Sequence, residues 1–493
     1  MSPSPHVPPA DAPPADSALA KVLSAETRSA GTLTDDVRRV HAELSPAALA
    51  LAEAAITDPD GCPPWPWTAS GDCEWMVPGG ERLQGWPTLV GSEKLAQIRR
   101  ATEGVVALAK SLFERVFDGD PERIAEFYGL EDEILATLWL EPPNGLAGAV
   151  GRCDFIDGPA GFRCLELNLA GNVGGWVVEY AVPWWLRQPL VERVIESTGV
   201  RPVYRSPMEI FFAHVVRDVV GQGLTTGGRV DLAALVFEDC EATPAVQAEL
   251  DQRYRRVVEG LDFGLTGSLI LCRKATELSE GAGGELLAHG RRVHGLLEYN
   301  ADLDTPRVAF RAFKAEQCML YNGPVTRLLV DKRNLALLSE LAESDRVDAE
   351  ERSVLEDHVP WGRVVGDRRT RYRGEMEDLL PLLRARRGDF VLKRATGLGG
   401  VAVIVGRGTE AAAWETAVET AAASGEWMVQ EFQESWPYVH LLRGGGWALH
   451  NAVWGTFCVG REYAGTFMRV APRDGNAIVS VENGATGGVV FEV

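Results

Sequence analysis

Residues 151–168 run Gly-Arg-Cys-Asp-Phe-Ile-Asp-Gly-Pro-Ala-Gly-Phe-Arg-Cys-Leu-Glu-Leu-Asn, two alternating runs around a turn-forming stretch, Asp157-Gly158-Pro159-Ala160-Gly161. That pattern predicts two short antiparallel strands. Side chains alternate faces along a strand, so Arg152 and Asp154 share a face, as do Glu166 and Asn168 on the partner. A turn centred near Pro159 pairs positions whose numbers sum to about 318. All four polar groups then point one way, and Phe155, Leu165 and Leu167 point the other. Two carboxylates and an amide oxygen are hard oxygen ligands, and a neighbouring arginine suits a phosphate. Together they are what a Mg²⁺–nucleotide site requires.

The 493 residues are enough for two to four domains around a large core. A formal charge of −21 argues against a nucleic-acid-binding surface, which needs clustered Lys and Arg. The eight cysteines include no CxxC pair and none with the spacing of a zinc site. Most lie in apolar runs, where reduced cysteine behaves as a small hydrophobe. The eight histidines are dispersed, and neither they nor the cysteines form a recognisable nucleophile–base set. Residues 1–16 hold six prolines and lack a basic start and an apolar middle, so they read as a disordered tail and not a signal peptide. No apolar run of about 18 residues occurs, so no membrane span and a cytoplasmic location are expected.

Apolar spacing of three and four residues predicts helices over Leu44–Ile56 and Leu95–Phe117, separated by a Trp/Pro/Gly-rich loop from Cys62 to Trp86. From Leu186 to Ala301, short apolar runs at Val230–Glu238, Gly267–Lys274 and Arg292–Tyr299, with a helix over Glu249–Leu261, predict a small α/β layer. A turn at Asn322-Gly323-Pro324 precedes a helix carrying Asp331-Lys332-Arg333-Asn334 and Leu335–Leu341. A charged stretch, 343–378, leads to the next strand-rich unit. There Asp389–Lys393 forms a strand that ends on a lysine and runs into Arg394-Ala-Thr-Gly397-Leu-Gly399-Gly400. A glycine loop between strands lets backbone N–H groups approach phosphate oxygens, and the lysine adds a point charge. It is not a Walker A loop, because no GKS or GKT follows. Further on, Glu426-Trp-Met-Val-Gln430-Glu431-Phe432 is an apolar strand ending in a Gln-Glu pair, suited to an adenine edge and ribose hydroxyls.

Lysine strand, glycine loop and Gln-Glu strand in this order resemble the nucleotide half of the ATP-grasp family. That family places its metal ligands after these elements; here Asp154, Glu166 and Asn168 come before them. The inverted order, and the Arg-x-Asp followed by Glu-x-Asn twelve positions after the Asp, resemble the circularly permuted ATP-grasp group that includes glutathionylspermidine synthetase-like enzymes. Tyr321-Asn-Gly-Pro through Asp331-Lys-Arg-Asn-Leu-Ala-Leu-Leu338 is similar to the group's second lysine helix, and Gly460–Arg469 to its closing strands. The resemblance covers roughly residues 150–493.

The resemblance implies an α/β (α+β) permuted ATP-grasp fold with a small pre-ATP-grasp-like layer and a largely helical N-terminal region. The units would be a disordered tail (1–17), the helical region (18–149), the metal-ligand strands (150–185), the α/β substrate-side layer (186–305) and the nucleotide-binding lobes (306–493). It implies that Asp154, Glu166 and Asn168 hold Mg²⁺ and that Arg152 stabilises the acyl phosphate or the transition state that follows. Lys332 and Lys393 would contact phosphates, Gly397, Gly399 and Gly400 would form a lid, and Gln430 and Glu431 would meet adenine and ribose. Arg469 and Arg461 are further candidates for phosphate or carboxylate contacts. The implied activity is ATP-dependent joining of a small-molecule or peptide carboxylate to an amine, with ATP and Mg²⁺ as cofactors and a homodimer compatible with the family. A kinase-like phosphotransferase and a non-catalytic nucleotide-binding scaffold are the alternatives. Two departures stand out: no arginine follows shortly after Tyr299, and no cysteine-dependent amidase module precedes the synthetase part.

Overall fold

The computed structural model describes residues 33–58, 83–130, 150–170, 174–236, 244–299, 306–323, 326–397, 402–442, 446–473, 478–480 and 483–493. The proline-rich tail, most of the Trp/Pro/Gly-rich loop, and Gly399 and Gly400 lie outside the described residues.

The chain is mixed α/β, with several separate sheets. The largest has seven strands and draws on both ends of the chain. Its order is β1 (Thr88–Val90), β20 (Thr486–Glu492), β19 (Glu462–Pro472), β18 (Trp447–Val459), β2 (Val150–Gly158) and β3 (Gly161–Asn168). β17 (Tyr438–Leu441) also pairs with β18, through His450 to Trp447, whereas β2 pairs through Trp454 to Val459. β17 and β2 therefore lie end to end along one edge of β18. The central strands are buried on both faces, which the 13-residue β18 meets with Ala452, Trp454, Phe457, Cys458 and Val459 packed in the main core.

N-terminal helices cover this sheet, and their starts follow ordinary capping chemistry. Ser45 Oγ accepts from the Ala48 N–H of the helix Pro46–Thr57, which carries Pro46 in its first turn. The helix Ser92–Lys110 buries Ile98, Ala101, Val105 and Ala109, the spacing expected of an amphipathic helix. The predicted helical stretches are thus helices, divided at Ser45 and Ser111.

The three predicted strands of the α/β layer form a parallel four-stranded sheet in the order β10 (Met319–Tyr321), β9 (Gly295–Glu298), β4 (Leu232–Leu235) and β5 (Leu269–Cys272), in which β10 comes from beyond the expected boundary at 305. A small antiparallel sheet of β6 (Leu278–Glu280), β7 (Leu286–Ala288) and β8 (Arg291–Arg292) sits beside it. A third sheet has the order β11 (Gly362–Val364), β16 (Trp427–Glu431), β14 (Phe390–Arg394) and β15 (Val403–Val405), and is antiparallel throughout. The helices Leu379–Ala385 and Ala411–Ser424 pack on it through Leu383, Trp414 and Val418. The charged stretch before it is therefore not a mere linker. It contains the helix Ala349–His358, strand β11 and the two-stranded pair β12 (Arg369–Tyr372) and β13 (Glu375–Asp378).

Candidate functional site

The third sheet faces the β2–β3 end of the seven-stranded sheet across a cleft of about 570 Å³. Arg152, Asp154, Glu166, Asn168, Lys332, Lys393, Gln430, Glu431 and Arg469 all line it. These nine residues, all given roles from the sequence, thus meet in one place, though Arg152 and Arg469 are 317 positions apart along the chain.

The β2–β3 hairpin sets the geometry. Asp154 pairs with Glu166 and Arg152 with Asn168, so the paired positions sum to 320 near the site and to 319 near the turn, not 318. The step between the two registers is a bulge: Glu166 pairs with Asp154 and Cys164 with the next residue, Phe155, which leaves Leu165 between them without a partner. The bulge breaks the simple alternation. Leu165 was expected on the side away from the polar groups, yet it lines the cleft beside Glu166, while Phe155 and Leu167 face the core as expected.

Asp154 is 4% exposed and is held by two arginines. Arg152 Nε donates to its Oδ1 at 2.7 Å and Arg152 Nη2 to its Oδ2 at 3.2 Å, while Arg469 Nη2 donates to Oδ2 at 2.5 Å. Asn168 Nδ2 lies 3.4 Å from the same oxygen. Burial pushes the Asp154 carboxyl up, but the Arg152 and Arg469 guanidiniums outweigh it and hold it below its ordinary value. Arg152 Nη1 donates to the Gly174 carbonyl at 2.5 Å, and its guanidinium lies over the Phe467 ring. Room for it comes from Gly455 on β18, directly opposite Asp154. A Cβ there would approach Arg152 Cδ to 2.6 Å.

The two lysines join the sheets. Lys393 leaves β14 and donates to the Leu165 carbonyl at 2.7 Å and to Gln430 Oε1 at 2.6 Å. Burial lowers its ammonium to about 8; Lys332 adds to this and Glu166 opposes it. Lys332 was expected within its helix. It is instead the residue before the first turn of the helix Arg333–Leu341, where Asp331 Oδ1 accepts from the Arg333 N–H. From there Lys332 Nζ reaches Glu166 Oε1 at 2.9 Å and the Gly397 carbonyl at 2.6 Å. Gly397, three residues beyond the end of the lysine strand, has φ +139°, a conformation glycine adopts readily.

Three further candidates have the following surroundings. Gln430 is 2% exposed, and both ends of its amide are taken, by Lys393 and by the Cys164 carbonyl that accepts from Nε2 at 3.2 Å. Its side chain therefore positions Lys393, which leaves contact with a base edge to the backbone of this strand end. Glu431 Oε1 accepts from Tyr372 Oη at 3.0 Å and from Arg373 Nη2 at 2.7 Å, leaving Oε2 outside those bonds. Arg461 stands exposed in the turn between β18 and β19 and does not line the cleft.

Sequence reasoning missed the far wall. Val391, Val403, Val405 and Phe432 form an apolar slot, rimmed by Arg407 and Glu434. Arg407 lies over Phe432 at 4.1 Å and donates to Glu434 Oε1 at 2.5 Å. The valines were within the strands read from the sequence, and their alternation along β14 and β15 was the available signal. Nothing local marks Arg407 or Glu434.

The donor set fits Mg²⁺. Asp154, Glu166 and Asn168 place hard oxygens on one patch, and the buried Arg469 Nε, with no hydrogen-bond partner, is a donor suited to an anion beside it and not to the metal. Neither a search of protein-family models nor a search of curated proteins returns a match to this chain.

Proposed function

We propose that the chain is an ATP-dependent ligase that activates a carboxylate as an acyl phosphate and joins it to an amine, on a circularly permuted ATP-grasp fold. The observation that carries this reading is the cleft in which the Asp154–Glu166 pair faces Lys332 and Lys393 across two sheets. Support for the permutation comes from β2 and β3, early in the chain, lying edge to edge with β18 and β19 near its end. The unit boundaries expected from the sequence, with 150–185 and 306–493 sharing one nucleotide site, belong to the same proposal.

Asp154, Glu166 and Asn168 would hold Mg²⁺, and the ion would neutralise charge on the transferring phosphoryl group. Lys332 and Lys393 supply positive charge where the phosphates would lie, and exclusion of water strengthens the attraction of the protonated lysines for them. The slot of Val391, Val403, Val405 and Phe432 has the shape and polarity for a base, with Glu431 Oε2 free for ribose hydroxyls. Arg152, held by Asp154, Gly174 and Phe467, is oriented for the acyl phosphate. No side chain of the protein need act as nucleophile, because the amine substrate is one.

The test is ADP release across pairs of candidate acids and amines, with product mass as readout. Amide and ADP appearing together, and both lost in Asp154→Asn, are expected. ADP with a phosphorylated product and no amide would assign a kinase-like phosphotransferase. Unchanged ATP-dependent turnover in Asp154→Asn would overturn the ligase assignment.

A further inference from the structure

A second group of ligand-type side chains lies outside the cleft, at the edge of the parallel sheet. Cys272 ends the edge strand β5 and is buried among Leu278, Leu286 and Ala288. Glu277 closes the turn Ala275–Glu277 that follows, and its Oε2 accepts from the Arg273 N–H at 2.7 Å. His289 sits in the turn between β7 and β8. Its Nε2 lies 3.8 Å from Glu277 Oε2 and 3.4 Å from the Leu271 carbonyl oxygen. The ligand atoms of Cys272, Glu277 and His289 all lie within 4.8 Å of one another. None of the three lines the cleft.

We propose that Cys272, Glu277 and His289 form a zinc site that clips strand β5 to the β7–β8 hairpin. The reading is independent of the proposed ligase activity. Thiolate and imidazole are soft to borderline ligands that select zinc and similar ions over Mg²⁺, which the all-oxygen patch of the cleft would take. Metal–ligand bonds of roughly 2.0–2.3 Å set tetrahedral ligands roughly 3.3–3.8 Å apart, so the three groups need close by only about 1 Å. The Leu271 carbonyl or water completes the coordination, because Cys272 is buried while His289 is half exposed and leaves one side open.

The turn chemistry agrees. His289 and Gly290 have φ of +47° and +76°, successive left-handed residues of the kind that favour Asn-Gly. Histidine there gives up local preference for a side chain that reaches back over β5. The spacing, Cys-x4-Glu-x11-His, matches no common zinc pattern, so only the fold brings the ligands together.

Cobalt substitution of the full chain tests this directly. Metal-stripped protein titrated with Co²⁺ should develop a near-ultraviolet thiolate-to-cobalt charge-transfer band, which an oxygen-only site in the cleft cannot give. Zinc should displace it. Cys272→Ser should abolish the band. His289→Asn suits the turn and should fold at least as well, yet weaken Co²⁺ and Zn²⁺ binding by at least the roughly 10–100-fold that even outer-shell changes cost. Absence of the band overturns the site, as does a band that survives either variant unchanged. Should Cys272→Ser fail to fold, His289→Asn decides alone.

Discussion

Asp154 and Glu166 face each other across one pair of strands, yet their surroundings assign them different structural weight. Asp154 is buried and neutralises buried Arg152 and the partly buried Arg469; Glu166 is 29% exposed and meets one lysine. Asp154→Asn therefore strips Arg152 and Arg469 of their counter-charge, and removing one partner of a buried pair costs about 3 kcal/mol. Glu166→Gln should cost about 1 kcal/mol or less, as partly exposed pairs do. Urea denaturation of the two variants should show that difference, while ATP-dependent turnover falls in both. Equal stability losses would show that the arginines relax freely without Asp154. Lys393 gives a second prediction, with opposite signs for stability and binding. Its folded value of about 8 lies below the ordinary 10.5, so below pH 8 the fold bears the full cost of burying the charge. As pH rises from 8 to 10.5 that cost is relieved and the Lys393 contribution to stability improves. The same deprotonation removes charge from the phosphate side of the cleft. Affinity for Mg²⁺–ATP should fall as pH rises from about 7 to about 9.5, in step with the fraction of neutral lysine. Calorimetric titration across that range checks it, and a flat profile would exclude titration of Lys393 there.

At the level of elements, the β2–β3 turn carries a tight crossing. An added Cβ at Gly158 would lie 1.8 Å from the Glu434 carbonyl oxygen, a backbone atom that cannot swing aside. The chain from Phe432 to Ser435 thus passes directly over the hairpin, with Trp436 N–H donating to the Asp157 carbonyl at 2.8 Å. Gly158→Ala should push that segment off the hairpin, costing about 1–3 kcal/mol as overpacking does and weakening nucleotide binding through Phe432 and Glu434. Thermal denaturation and a nucleotide titration would check both effects; wild-type behaviour in both would show that the segment yields without loss. This crossing marks where sequence reading ends. The hairpin, the lysine strand, the Gln-Glu strand and three of the four strands of the parallel sheet were legible because alternation and turn residues are local signals; β10 was not read as a strand. The bulge at Leu165 was not, since a single added residue leaves the composition of the strand unchanged. Arg407, Glu434 and the second task of Gln430 were hidden for a different reason. Each depends on which distant backbone arrives opposite, and no spacing along the chain records that.

Across the whole molecule, the two ends of the chain meet at a cluster of buried histidines. His41, on the helix Asp35–Leu44, accepts the Val439 N–H of β17 at Nε2, 3.1 Å away. His440 stacks on Trp86 and lies edge-on to His450 of β18. Burial lowers His41 and His450 to about 4, and burial together with its two histidine neighbours lowers His440 further. In the unfolded chain these groups titrate near their ordinary 6.5. Between pH 6.5 and 4 the unfolded state therefore binds more protons than the folded one, and stability must fall as pH falls. Each neutral buried histidine contributes a slope of about 1.4 kcal/mol per pH unit in that window. His41 acceptance of the Val439 N–H ends when its ring is protonated, so acid should first release the N-terminal helix from β17. Carboxylates such as Asp154, held below their ordinary 3.8, lose their stabilising charge only at lower pH, which separates the two effects. Urea denaturation at a series of pH values from about 7 to about 4 should show a steep decline beginning near 6.5. His450→Gln should reduce the slope by about one proton's worth and leave the pH of onset unchanged. An unchanged slope in that variant would show that His450 is already protonated in the folded chain.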